Sequence, residues 1–234
     1  DLLQQAGVKP KKPSPIPDAV AKVYEARAGF VNYHANRSLR DKTLSAWLTT
    51  SAAADRKGDW RVRLVRADGA RATVLLGREQ AEWKDDAATT VVRPGQEEAV
   101  DPWSAGGVLV ALGQWRRMAI DRDEWFSRCE FAGGSPVEGV VRSESGVGEP
   151  APTIETDRGG VQGRWTFHPT TGRLARLECQ WRPDGDPCEI AFSDERPVDG
   201  RLIPHRWMLF HAGEPAARSE EHTSELQSPC NLVC

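Results

Sequence analysis

Residues 163–210 read GRWTFHPTTGRLARLECQWRPDGDPCEIAFSDERPVDGRLIPHRWMLF, and three turn signals cut this stretch into four apolar-rich runs. In the first, Gly163, Trp165 and Phe167 alternate with Arg164, Thr166 and His168. Successive strand side chains point to opposite faces, so Trp165 and Phe167 share one face and the polar set shares the other. Pro169-Thr170-Thr171-Gly172 turns the chain, because proline pre-sets its own backbone angle and glycine accepts the left-handed conformation. The second run sets Ala175, Leu177, Cys179 and Trp181 on one face, and Pro183-Asp184-Gly185-Asp186-Pro187 follows as the second turn. The third sets Cys188, Ile190 and Phe192 against Glu189, Ala191 and Ser193, up to the turn at Pro197-Val198-Asp199-Gly200. The last run is apolar on both sides, with Ile203, Trp207 and Leu209 opposite Leu202, Met208 and Phe210. Four such runs joined by tight turns predict an antiparallel meander. One-sided strands beside a two-sided one predict a sheet that curves around something.

Upstream, Trp60, Val62 and Leu64 alternate with Arg61 and Arg63, and Asp68-Gly69 is a hairpin turn leading to a return strand over 71–76. Residues 79–84 and 89–93 are further strand candidates. Two helical stretches interrupt the strands. Asp18 can cap a helix from Ala19, whose stripe Val20, Tyr24, Ala28, Val31 and Ala35 continues past a bend near Asn36 to Leu39, Leu44, Trp47 and Leu48. Ser104 can cap a second, with Val108, Leu109, Leu112, Trp115 and Ala119 inward and Arg116 and Arg117 outward. Residues 127–131 read as a strand. Residues 133–160, rich in Gly, Pro, Ser and Glu, read as loop with short strands near 140–141 and 153–155.

The ends of the chain differ in composition. Residues 1–17 include AGVKPKKPSPIP, a Pro/Lys-rich linker or the end of an upstream domain. Residues 218–234, RSEEHTSELQSPCNLVC, resemble the translation of a sequencing-library adapter, which would make the chain a metagenomic fragment. A tail over 214–234 is therefore expected to be disordered and mostly artefactual, with the domain proper over 18–213. The formal net charge is −3; one Arg and three Glu of residues 218–234 account for −2 of it and leave −1 for the rest. Near-neutrality argues against a nucleic acid or an anionic membrane as partner. No run is long enough for a transmembrane segment.

Nine tryptophans are many for 234 residues, and their ordinary role is core and sheet-face packing. Of the three cysteines outside residues 218–234, Cys179 and Cys188 flank the second turn. They could bridge across adjacent strands, or both could be small buried hydrophobes. Their spacing fits neither a zinc ribbon nor a C-x-x-C redox site.

The passages Phe167-His-Pro-Thr-Thr-Gly-Arg-Leu174 and Phe192-Ser-Asp-Glu-Arg-Pro-Val-Asp-Gly-Arg-Leu-Ile-Pro204 resemble strand–turn–strand passages of the lipoprotein-carrier superfamily of LolA and LolB. His168 stands where such turns often have Asp. The resemblance covers about a quarter of the chain at motif level and most of it in element order. It implies an α+β fold: a curved antiparallel sheet, a half-open barrel of LolA-like type, covering an N-terminal helix and a central helical segment. It also implies a periplasmic or otherwise exported protein that binds an apolar or lipid-like ligand in the concave cleft between sheet and helices. Trp60, Trp115, Trp165, Phe167, Trp181 and Trp207 are the candidate ligand-binding wall. The alternative is an accessory module at the C-terminal end of a larger exported protein, such as one with trypsin-like protease and PDZ modules upstream.

Catalysis is not expected. The chain has no G-x-S-x-G elbow and no H-E-x-x-H, and His34, His168, His205 and His211 have no nucleophile or metal set in pattern with them. Asp194, Glu195 and Arg196, charges at a strand end, are expected to pair or face water. Asp184 and Asp186 share a turn and offer too few oxygens for a calcium loop. No catalytic residue, metal site or cofactor is assigned.

Overall fold

A computed structural model describes residues 30–51, 59–77, 80–93, 107–135, 150–182, 184–198 and 201–219. The chain divides into two compact units, Asp1–Ser38 and Leu39–Cys234. Of the first, residues 30–38 are described; they are the opening turns of helix α1 (Phe30–Thr50), and His34 is exposed on it. The helical start expected at Ala19 lies outside the described residues.

The second unit is built on one sheet. Its strands, among the described residues, are β1 (Trp60–Arg66), β2 (Arg71–Leu76), β3 (Ala81–Asp85), β4 (Thr89–Val92), β5 (Arg128–Ser135), β6 (Ala151–Arg158), β7 (Val161–Phe167), β8 (Leu174–Gln180), β9 (Cys188–Val198), β10 (Arg201–His211) and β11 (Glu214–Ser219). They lie in the order β4-β3-β2-β1-β11-β10-β9-β8-β7-β6-β5, every neighbour antiparallel. The edges β4 and β5 do not pair, so the barrel stays open.

The four runs of the opening stretch are β7 to β10, neighbours in sequence order as a meander requires. Trp165, Phe167, Leu177, Cys179, Cys188, Ile190, Phe192, Ile203, Trp207 and Leu209 all point into the core, as do Trp60, Val62 and Leu64 of β1. The second face of β10 is less covered than expected, since Leu202, Met208 and Phe210 are half-buried. Register shifts by one residue at Thr166/Phe167, and Leu174 and Leu177 are the buried pair at the start of β8 while Ala175 stays half-buried. Such a bulge bends the strand and raises its twist.

Between β5 and β7 the expected loop is shorter than its composition implied. Residues 151–158 form a full strand although Pro152 lies within it. The candidate at 140–141 lies outside the described residues.

Beyond β10 the tail expectation is corrected. Residues 214–219, read as disordered, form β11 and fill the place between β1 and β10. Leu64, Val65 and Arg66 pair with Ser219, Arg218 and Ala217 on one side, and β10 pairs on the other. Ser219 Oγ accepts from the Trp207 backbone N–H at 2.9 Å and donates to the His205 carbonyl at 3.2 Å. Both long edges of β11 are occupied, so backbone pairing compensates for an almost wholly exposed side-chain set.

The sheet curls. Trp115, on helix α2 (Val108–Ile120), has its ring 4.9 Å from Trp60 of β1 and 5.0 Å from Phe192 of β9. The Trp60 and Phe192 rings are thus at most about 10 Å apart, whereas three spacings of flat sheet would separate their strands by about 14 Å. This is the curved half-barrel that the resemblance to the LolA and LolB superfamily implies, with α2 on the concave face. Helix α2 is buried nearly all round, and the expected outward position of Arg116 is wrong, since that residue is only 5% exposed. The helix touches β2, β3, β8 and β9, strands from both arms of the curl, and so meets protein on more than one side.

Candidate functional site

All six residues of the expected ligand wall are buried, the most exposed being Trp181 at 8%. They do not form one wall. Trp60 and Trp207 both meet Trp115 edge-on at 4.9 Å, and Phe192 completes this first group, 5.8 Å from Trp207. Trp165 and Phe167 form a second group around Trp47 of α1, at 6.5 and 5.9 Å. Phe126 meets Trp165 from the other side at 6.2 Å. Trp181 stands apart from both, with the Arg182 guanidinium 4.1 Å over its ring.

Two of the indoles are anchored by hydrogen bonds, one to the neighbouring strand β6 and one within β10. Trp165 Nε1 donates to Thr156 Oγ1, and Trp207 Nε1 to the Pro204 carbonyl, each at 2.9 Å. Trp115 and Trp181 have buried indole N–H groups with no acceptor among the described residues.

The aromatic packing is interrupted between the two groups. About 290 Å³ of free space, part of it open to solvent, is walled by Trp47, Trp115, Leu174, Phe192 and Leu202. Its innermost part admits no more than about one water-sized body without movement of the walls. The polar lining comes from the end of α1 and from an ion pair between Arg173 and Glu195. Glu195 is on β9 and Arg173 immediately precedes β8, so the pair straddles adjacent strands. Burial pushes the Glu195 carboxyl above the ordinary carboxylate range, Arg173 pulling the other way without cancelling the shift.

Trp47, Phe192, Arg173 and Glu195 were not in the expected wall. Trp47 carried a signal, since it sits on the apolar stripe of α1, and Phe192 carried one in the third run. Arg173 and Glu195 carried none, because nothing local distinguishes them from solvated charges at strand ends. Asp194 and Arg196 form an ion pair with each other, as expected for charges at a strand end.

His168 engages its own turn through Thr170 and the Thr171 amide. Burial, with Arg196 next in effect, holds the His205 imidazole below its ordinary range. No group of three or more His, Cys, Asp or Glu that could hold a metal ion occurs among the described residues. None of the described helices is long and apolar enough to cross a membrane.

Cys179 and Cys188 are Cα partners across β8 and β9, and both are buried thiols here. Opposed residues of an antiparallel pair lie roughly 4.5–5.5 Å apart at Cα, inside the span a disulfide accepts. Refolding in a glutathione redox buffer is expected to join them. The short loop they close would add about 2–3 kcal/mol of stability. Peptide mapping after alkylation of the denatured protein reads the result, and recovery of both residues as alkylated thiols would refute it. Cys129 is different: burial pushes its thiol up to about 12, so it stays protonated and unreactive at neutral pH.

Neither a protein-family model nor a curated protein matches the chain. Two solved structures are similar. A LolA superfamily protein of Nitrosomonas europaea superimposes with a TM-score of 0.45 at 12% identity, over 76% of this chain and 90% of that one. A domain of Vibrio parahaemolyticus, described as an outer membrane lipoprotein-sorting protein, gives 0.41 at 9% identity, over 80% and 89%. Both are loose superpositions, and the fold described above stands on its own strand order and register.

Proposed function

We propose that this chain is a non-catalytic, exported domain that binds an apolar or lipid-like ligand between its helices and the concave face of the sheet. The supporting observation is the interruption in the aromatic packing. Two groups of buried rings, one on Trp115 and one on Trp47, leave between them an apolar-walled hollow that reaches solvent. Hollows of this kind, mostly apolar with a few polar groups at one side, suit small apolar guests. A guest larger than water enters by moving wall side chains.

Titration with the uncharged probe N-phenyl-1-naphthylamine tests the reading. Saturable, blue-shifted fluorescence at about one site per chain is the expected result, together with apolar compounds released from the purified protein in native mass spectrometry. Absence of both would sink it.

A second reading is a non-catalytic accessory module of a larger exported protein. It is favoured by the filling of most of the concave face with the chain's own side chains, which needs no guest to be stable. A full-length gene encoding a further domain upstream, together with no probe binding, would favour this reading over the first.

A further inference from the structure

We propose that strand β4 is a homodimer interface: two copies of the chain join edge to edge by antiparallel β4–β4 pairing, about a twofold axis at Val91.

The two edges of the sheet are β4 and β5, and they are finished differently. Strand β5 carries a bulge, its register to β6 shifting between Phe131 and Gly133, where Gly133 takes φ +104°. The Arg40 guanidinium of α1 also donates to the Cys129 carbonyl at 3.1 Å. A bulged edge with a charged side chain on its backbone is a poor template for another strand. Strand β4, Thr89-Thr-Val-Val92, keeps an unbroken register with β3 and contains no Lys, Pro or bulge. Its residues are all β-branched, which suits a paired strand. Val91 is 54% exposed, and it and Leu39 are the large apolar side chains left exposed among the described residues.

The ladder to β3 fixes which backbone groups this edge offers. Asp85 N–H donates to the Ala88 carbonyl across the β3–β4 turn at 3.1 Å. Hydrogen-bonded and non-bonded pairs alternate along an antiparallel ladder. In the register Lys84↔Thr89, Trp83↔Thr90, Glu82↔Val91 and Ala81↔Val92, Thr90 and Val92 therefore bond to β3. Thr89 and Val91 turn their N–H and C=O groups outward, and Arg93 follows on the same side. Among the described residues, no strand pairs with β4 on that side.

A second copy fits this edge. With the pairing centred on Val91, Val91 faces the partner's Val91, Thr89 faces the partner's Arg93, and Thr90 faces the partner's Val92. All three outward residues then meet outward residues, the exposed valines cover each other, and no two like charges stand opposite. A register two residues nearer the turn would set Arg93 against the partner's Ala87, a residue whose N–H is held by Asp85 Oδ1 within the turn. The twofold pairing occupies both β4 edges and leaves the blunted β5 edges outermost, so association stops at two copies. Only about five residues per copy engage, well below a standard interface, and the dimer is weak, with a Kd on the order of 100 µM.

Sedimentation equilibrium of the full chain under reducing conditions, from about tenfold below to about tenfold above that concentration, provides the test. A monomer–dimer equilibrium with no larger species is the expected result. Val91→Lys sets two like charges against each other at the twofold axis and should weaken the dimer about tenfold or more. Leu39→Lys, at the other exposed apolar position, should leave it unchanged. Circular dichroism melts confirm that both variants fold. Val91→Cys tests the register: on oxidation it should cross-link to the same position of the partner, because opposed Cα atoms lie about 5.5 Å apart. Thr89→Cys should not, since the matching position lies about 14 Å away. Peptide mapping separates these links from any at the native cysteines. A monomer at every concentration leaves the edge to another protein's strand or to water and overturns the proposal. An undiminished dimer in folded Val91→Lys, or cross-linking of Thr89→Cys as readily as Val91→Cys, overturns it as well.

Discussion

Trp115→Ala is expected to lower the free energy of unfolding by about 3–5 kcal/mol, the range for truncating a fully buried large aromatic. Trp115 is 1% exposed and is the ring on which the two arms of the sheet converge: Trp60 comes from β1, Phe192 from β9 and Trp207 from β10. Edge-to-face pairs contribute about 0.5–1.5 kcal/mol each beyond the area they bury. Two contacts here are of that type, at 71° and 85°. The cavity left behind cannot collapse easily, because its walls belong to strands held by backbone pairing on both sides. Urea denaturation with an unchanged m-value reads the loss. Trp125→Ala is the control. That ring is half-buried between the Arg117 and Arg158 guanidiniums, at 4.1 and 3.7 Å, and its loss should cost nearer about 1 kcal/mol. If Trp115→Ala cost no more than Trp125→Ala, the two arms would not meet on α2.

Much of this architecture is legible in the chain, and the parts that are not share a physical cause. The meander announces itself because alternation and turn residues are local signals: Trp165, Phe167, Cys188, Ile190 and Phe192 all fall on the face their spacing assigns. The stripe of α2 is legible for the same reason. Strand β11 is not. Glu214–Ser219 has one buried side chain, Ser219, and no apolar period; the turn at Ala212-Gly213 joins it to β10, and its other edge is held by β1, distant in sequence. A non-local pairing of this kind leaves no trace in the residues themselves. Arg116 fails in the opposite direction. Its local pattern says surface, but a sheet that curls round α2 removes the surface. The candidate site is divided in the same way. Residue type identifies which rings are inward, whereas packing decides whether inward rings line a space or fill it. Trp60, Trp115 and Trp207 fill it against one another, and the hollow opens instead where Trp47 and Trp115 face different partners. The Arg173–Glu195 pair depends on the β8–β9 register, which no spacing rule supplies.

Gly107→Ala is expected to cost about 2–5 kcal/mol, from two separable effects. Gly107 precedes α2 in the left-handed region at φ +81°, where a side chain costs about 1–2 kcal/mol. A Cβ built there would also lie well inside 3.0 Å of the Trp181 indole, and overpacking of that kind costs about 1–3 kcal/mol more. Gly69→Ala isolates the first effect. Gly69 has φ +85° in the Asp68-Gly69 turn, but its Cβ would meet nothing within 4 Å. The difference between the two variants is the steric term alone. Combining Gly107→Ala with Trp181→Leu should recover that difference, because the smaller side chain vacates the space, and a double-mutant cycle measures the coupling directly. A Gly107→Ala variant no less stable than Gly69→Ala, or a cycle with no coupling, would mean that Trp181 does not seat against the start of α2. The end of β8 would then be free of the helix, and the buried indole N–H of Trp181 would be available to some other group.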